Sequence, residues 1–114
     1  MKQRIAILGA GESGVGAALL AQHQGFELWV SDKSPIAPNY KAQLQEKNIP
    51  FEEGQHSEAE ILVAIEVIKS PGIPMQAPII QKILAAGIPI ISEIEFAARY
   101  TSAKIIAITG SNGK

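Results

Sequence analysis

Three glycines, Gly9, Gly11 and Gly14, stand in G-x-G-x-x-G register directly after the apolar run Arg4-Ile-Ala-Ile-Leu8 and directly before an alanine- and leucine-rich stretch. A turn of this kind brings backbone N–H groups up to an anion without Cβ atoms in the way. The start of the following helix adds the positive end of its dipole. The chemistry implied is phosphate binding, in the manner of a nucleotide loop between a strand and a helix. Asp32 follows Gly11 by 21 positions, close to the ~20-residue spacing of a carboxylate that reads a ribose hydroxyl. A second anion-type segment, Thr109-Gly-Ser-Asn-Gly-Lys114, follows another apolar strand pattern. Its amides would wrap a phosphate and its lysine would reach the outer oxygens. It departs from G-x-x-x-x-G-K-[ST], because Ile108 occupies the first glycine position.

These groups need elements to hold them. Residues 4–8 read as a buried strand and Val15–Gln24 as a helix stopped by Gly25. Phe26–Val30 alternates as a second strand. Asn39 is expected to cap a helix over 40–48 with Tyr40 and Leu44 inward. A short strand near an edge follows at 49–52, where Pro50 is tolerated. One or two helical turns over 57–62 lead to a strand at 65–69, and Ser70-Pro-Gly-Ile-Pro74 makes a rigid turn. Residues 77–86 form a helix with Ile79, Ile80, Ile83 and Leu84 on one stripe. A strand at 89–91 leads into a helix from Ser92 to about Tyr100, opened by the capping box Ser92-x-x-Glu95. A last strand covers 104–109. Strands alternating with helices imply a parallel sheet. With strand order 3-2-1-4-5, both special turns, 9–14 and 70–74, fall at the switch point where such folds bind ligands.

The totals narrow the partners. A chain of 114 residues holds one compact domain. Hydrophobic residues make up 46%, charged residues 18%, and the net charge is −1, so no basic footprint for nucleic acid or anionic lipid is present. Cysteine is absent, which removes disulfide and thiolate chemistry. No run of about 18 apolar residues marks a membrane span. Glu12 and the glycines interrupt the N-terminal apolar run too early for a signal peptide, so a cytoplasmic protein is expected. His23 and His56 read as isolated surface histidines, and Glu52-Glu53 as a solvent-facing acidic pair without a metal cluster. Trp29 and Tyr40 read as packing residues. Glu93 reads as a first-turn partner of the helix dipole.

Taken together and in order, IAILGAGESGVG, VSDKS, IKSPGIP, SEIEF and IAITGSNGK resemble the N-terminal part of the Mur ligases, most of all the D-glutamate-adding members. The resemblance spans the whole chain, and KSPGIP with TGSNGK are its most specific pieces. It implies a Rossmann-like three-layer α/β domain over residues 1–102, with a five-stranded parallel sheet that binds the uridine diphosphate of a peptidoglycan precursor. It further implies that 103–114 are the first strand and phosphate loop of a truncated ATPase domain. On this resemblance Gly11, Glu12 (by backbone only), Ser13 and Gly14 meet the diphosphate. Asp32, Lys33 and Ser34 line the uridine end, with Asp32 accepting a uracil or ribose hydrogen bond, and Ser70, Pro71 and Gly72 pack against the nucleotide. Gly110, Ser111, Asn112, Gly113 and Lys114 begin an ATP site.

The reaction so implied joins D-glutamate to UDP-N-acetylmuramoyl-L-alanine through an acyl phosphate, using ATP and Mg²⁺. The parts carrying that chemistry would lie beyond residue 114, so these residues alone are expected to be an inactive monomer with no resident cofactor. Other readings remain open at this point. They are an NAD-binding domain of a dehydrogenase, which Asp32 fits but TGSNGK does not, an alanine-adding Mur ligase, and a non-catalytic nucleotide sensor.

Overall fold

The computed structural model describes residues 2–100. Five parallel strands form one sheet in the order β3-β2-β1-β4-β5. The chain runs β1 (Arg4–Leu8), α1 (Glu12–His23), β2 (Glu27–Asp32), α2 (Pro38–Glu46), β3 (Phe51–Glu53), α3 (Glu58–Ile61), β4 (Glu66–Lys69), α4 (Pro78–Ala85) and β5 (Ile90–Ser92). A further helix, α5, occupies 93–100. The expected strand 104–109 and the loop from Gly110 to Lys114 lie outside the described residues.

Strict alternation along the central strands divides the core in two. Ile5 and Ile7 of β1, Leu28 and Val30 of β2, and Ile68 of β4 point to one face. There they meet Val15, Ala18 and Ala21 of α1, Leu44 of α2 and Phe96 of α5. Ala6 and Leu8 of β1 and Val67 of β4 point to the other, against Ile61 of α3 and Ile79, Ile80 and Ile83 of α4. Both faces of a parallel sheet are thereby covered, and β1 is buried from Ile5 to Leu8 without interruption. The chain adds β2 and β3 on one side of β1 and then crosses to add β4 and β5 on the other. That reversal places the β1 and β4 ends side by side.

The ends of the elements correct several sequence expectations. Helix α1 begins three residues before Val15, because extended Gly11 serves as its N-cap. It closes at Gly25, whose φ of +95° suits glycine. Helix α2 is capped at Ala37 with Pro38 in its first turn, not at Asn39. Proline is favoured there because its missing N–H would be unpaired anyway. Strand β2 continues through Ser31 and Asp32, since these residues pair with Glu52 and Glu53 of β3. The α4 stripe consists of Ile79, Ile80 and Ile83, whereas Leu84 is exposed. The capping box forms as expected: Glu95 N–H donates to Ser92 Oγ and Ser92 N–H to Glu95 Oε1, each at 3.0 Å.

Two arginines close the ends of this frame. Arg4 donates from Nε to Glu27 at 2.6 Å and from Nη1 to Glu60 at 2.7 Å, joining β1 to β2 and α3. Arg99 forms a two-pronged pair with Glu66, 2.9 Å on each arm, and so ties α5 to β4.

Candidate functional site

At the carboxyl ends of β1, β2 and β4 lies a cavity of about 710 Å³. Its rim is made by the β1–α1 turn, the end of β2, the segment after β3 and the Ser70–Pro74 turn. This is the place where the strand order reverses, and where open α/β sheets bind ligands.

The three glycines of the first turn have three different reasons to be glycine. Gly9 has φ +102°, and a Cβ there would stand 2.6 Å from the Ser70 Cβ. Any larger residue would push the two turns apart. At Gly14 a Cβ would lie 1.9 Å from the Gly9 carbonyl oxygen, so its absence lets α1 sit directly on the end of β1. Gly11 is the opposite case: an added Cβ would meet nothing within 4 Å, because the residue faces the open cavity. No side chain caps the start of α1. Its first N–H groups and its dipole are therefore available to an anion approaching over Gly11.

Asp32 holds this loop in place. Its Oδ2 accepts the Ala10 N–H and its Oδ1 the Ser34 N–H, both at 2.9 Å, while Gly9 N–H donates to the Ser31 carbonyl at 2.8 Å. One carboxylate thus binds the glycine turn to the end of β2. Each of its oxygens keeps a second lone pair for another donor. Lys33 and Ser34 extend from the same strand end into the cavity wall.

The opposite turn is stabilised from below. Lys69 Nζ donates to the carbonyls of Ser70 at 3.1 Å and Ile73 at 2.6 Å, and the Ser70 N–H bonds to the Leu8 carbonyl at 3.0 Å. A proline-rich turn has few N–H groups of its own; the ammonium supplies a donor to the Ile73 carbonyl and a second one to the Ser70 carbonyl, which also accepts the Ile73 N–H at 3.1 Å. Glu93 at the start of α5 is near this cation. Burial pushes its carboxyl above the ordinary value, and the Lys69 charge acts against that rise.

Six of the sequence-derived residues, Gly11, Asp32, Lys33, Ser34, Ser70 and Gly72, meet around the one cavity. Pro71 is at the exposed tip of the same turn. Glu12 and Ser13 are exposed on the first turn of α1, and Gly14 is buried beneath it. Ser13 also borders a separate depression of about 290 Å³ between α1 and α5. Gly110, Ser111, Asn112, Gly113 and Lys114 lie outside the described residues.

The histidine and acidic pair that looked solvent-facing in sequence do not behave so. Glu52 is half-buried and accepts four hydrogen bonds: from Trp29 Nε1, Ser31 Oγ, and the N–H and Oγ of Ser57. Burial pushes its pKa up, but the bonds from Ser57, Trp29 and Ser31 outweigh this and hold it below the ordinary value. Glu53 accepts the Ile36 N–H and pairs with Lys41 at 2.9 Å. His56 lines the cavity, with Nδ1 2.6 Å from Ser31 Oγ. Burial lowers its pKa from the usual value. Alternation on β2 supplies the missed signal: Ser31 and Trp29 share the face opposite Leu28 and Val30. A polar residue on a covered face requires partners. Among the described residues no group of three or more His, Asp or Glu side chains could hold a metal ion, and no helix is long and apolar enough to cross a membrane.

Comparison with known proteins assigns the fold and its lineage. Residues 3–92 match the family model described as Mur ligase MurD-like, N-terminal domain. The UDP-N-acetylmuramoylalanine–D-glutamate ligase of Bacteroides thetaiotaomicron is 63% identical over 112 residues, 98% of this chain and 25% of that protein. The protein of the same name from Porphyromonas gingivalis strain W83 is 61% identical over 114 residues, all of this chain and again 25% of its relative. Among solved structures, a murein peptide ligase from Psychrobacter arcticus superposes with a TM-score of 0.76 at 26% identity, covering 85% of this chain and 20% of that one. The chain therefore spans about a quarter of the length of the curated relatives it matches. On a family match that takes in the sheet, both special turns and the cavity between them, this chain belongs to the MurD-like N-terminal domains of the Mur ligases.

Proposed function

We propose that residues 1–102 form the UDP-binding domain of a cytoplasmic ligase that joins D-glutamate to UDP-N-acetylmuramoyl-L-alanine with ATP. The observation that carries this reading is the cavity at the strand switch point, where open Gly11 and the uncapped start of α1 face Asp32–Ser34 and Ser70–Gly72. In it the diphosphate lies over the first turn of α1, held by backbone N–H groups with the Ser13 hydroxyl beside them. Glu12 contributes its amide and keeps its exposed carboxylate in solvent. The free lone pairs of Asp32 accept ribose hydroxyls. Lys33 and Ser34 line the uridine end, and Gly72 lets the second turn close on the nucleotide. The domain's task is to hold the substrate by its nucleotide handle, so that the reacting carboxylate is presented elsewhere.

Residues 103–114 are proposed as the first strand and phosphate loop of an ATPase domain, with Gly110 to Lys114 at the ATP phosphates. The Mg²⁺ of that reaction would be held outside the described residues, which contain no group of three or more His, Asp or Glu side chains able to bind a metal ion. The names and identities of the relatives support the choice of D-glutamate over other amino acids. Titration calorimetry of the 114-residue chain with UDP, UDP-N-acetylmuramoyl-L-alanine and NAD tests the proposal. Saturable heats with both uridine ligands and none with NAD are expected. Tight NAD binding without a UDP response would replace it with the dehydrogenase reading.

A further inference from the structure

The hydrogen bonds around Ser31 fix the state of His56. Ser31 Oγ lies 3.0 Å from Glu52 Oε2, 3.1 Å from the Gln55 carbonyl and 2.6 Å from His56 Nδ1. A serine hydroxyl has one proton to donate. The carboxylate and the carbonyl can only accept, so both compete for that proton. Were Nδ1 also a bare acceptor, three acceptors would face one hydrogen, with the shortest contact left as lone pair against lone pair. The fewest acceptors are left facing one another when Nδ1 carries a proton and donates it to Ser31 Oγ, whose own hydrogen is then shared between Glu52 and the Gln55 carbonyl. A neutral imidazole protonated on Nδ1 presents a lone pair at Nε2. That nitrogen has no hydrogen-bond partner among the described residues, and no side-chain polar atom there is both buried and unpartnered. His56 is part of the cavity wall.

We propose that His56 Nε2 is a tautomer-locked acceptor that reads the imide N3–H of a uracil ring bound in the cavity, making His56 a specificity residue for uridine over cytidine nucleotides. This deepens, and rests on, the UDP-binding reading above. The hydrogen-bond donors of UDP's nucleoside are the ribose hydroxyls and the imide. The hydroxyls suit Asp32, which has spare lone pairs and a charge. The imide does not suit a carboxylate, because its N–H is flanked by two carbonyl oxygens that a second anionic oxygen would repel. A single neutral lone pair fits between them. Cytosine has a bare acceptor at the same position and would set two lone pairs against each other. Ile73, Ala77 and Ile79 line the same cavity and give it an apolar wall for the flat ring. The charged groups acting on His56 are Glu52 of β3, Asp32 of β2 and Lys33 just after it, and Glu58 lines the same cavity. Burial, helped by the Lys33 charge, outweighs the two carboxylates and lowers the pKa of the ring.

The test combines calorimetry with NMR on the 114-residue chain. Wild-type protein should bind UDP and 2′-deoxy-UDP about tenfold or more tightly than CDP, the size expected when a buried polar pair is matched in one ligand and opposed in the other. His56→Phe should remove that preference by weakening UDP and 2′-deoxy-UDP alike. His56→Gln, which returns an acceptor carbonyl, should restore most of it. Nitrogen chemical shifts of the imidazole should show Nδ1 protonated and Nε2 bare at neutral pH. A preference unchanged in His56→Phe, or an Nε2-protonated ring, overturns the inference while UDP binding stands. A wild-type chain that does not bind UDP overturns the inference together with the function it rests on. Should His56→Phe fail to fold, the glutamine variant and the ring shifts decide the matter.

Discussion

The β1–α1 turn and the β3–α3 connection open onto the same cavity but are built in opposite ways. The first is defined by missing side chains. Gly9 and Gly14 allow turn, strand and helix to approach closely, Gly11 leaves the face toward the cavity open, and the surface offered is made of N–H groups. The second is defined by side chains in series, from Trp29 through Glu52 and Ser31 to His56. A backbone cradle suits a group common to many ligands, such as a phosphate. A chain of side-chain hydrogen bonds fixes one lone pair in one direction, which suits a group that must be told apart. On the UDP-binding reading proposed above, the two halves of the site divide into holding and reading.

Breaking the first half should cost the most. In Gly14→Ala the new methyl would fall on the Gly9 carbonyl, 1.9 Å from its oxygen and 2.9 Å from its carbon, where neither backbone can yield. Overpacking typically costs about 1–3 kcal/mol and sometimes more. At about 4–8 °C per kcal/mol for a domain of this size, the melting temperature should fall by roughly 10 °C or more. Thermal denaturation followed by circular dichroism measures this, and a variant melting within about 3 °C of wild type would show that α1 does not rest on that carbonyl.

Breaking the second half should cost less and depend on pH. Glu52→Gln removes an acceptor shared by four donors, a loss of about 1–3 kcal/mol readable from urea unfolding. The folded-state pKa of Glu52 lies below the ordinary 4.5. Its contribution is therefore complete above that value and is lost as pH falls through the folded pKa. The gap between wild type and Glu52→Gln should stay constant above about pH 5 and narrow in stronger acid. A gap that widened on acidification would mean the carboxylate is not the favoured form.

Ser92→Ala, which removes the capping box of α5, should cost about 1 kcal/mol wherever the site is probed. Its effect on UDP affinity should be nil, and weakened binding would draw α5 into the site. Gly11→Ala should change stability least, within about 0.5 kcal/mol, because its φ is ordinary and nothing lies within 4 Å. UDP affinity should nevertheless fall about tenfold, roughly 1.4 kcal/mol, since the methyl would stand where the diphosphate approaches. Stability lost with affinity unchanged would mean that Gly11 is a packing glycine like the other two.

The same division explains what was legible in the sequence. Periodicity located all five strands of the sheet to within two residues at each end, and the turn glycines marked the switch point, because these features are written locally. The start of α1 was missed because Gly11 replaces the Ser, Thr, Asp or Asn that usually announces a helix. Leu84 was placed on the buried stripe because eight residues of α4 do not fix how far around the helix the core reaches. His56 and Glu52 were misread for a deeper reason. Two of their partners, Trp29 and Ser31, come from β2, and only the β2–β3 register brings Ser31 against Glu52. A carboxylate with four donors cannot be told from a solvated one until the strands are paired.

Asp32 has a consequence for the kinetics and cost of binding. Its two bonds, to the Ala10 and Ser34 amides, lie wholly within the chain and are made when the domain folds. The entropy of ordering the glycine turn is thus lost during folding rather than at each encounter with a ligand, so more of the contact energy appears as affinity. An Asp32→Ala chain would retain every amide of the cradle but would have to assemble it each time a ligand arrived. On the UDP-binding reading, the carboxylate makes the turn a preorganised receptor.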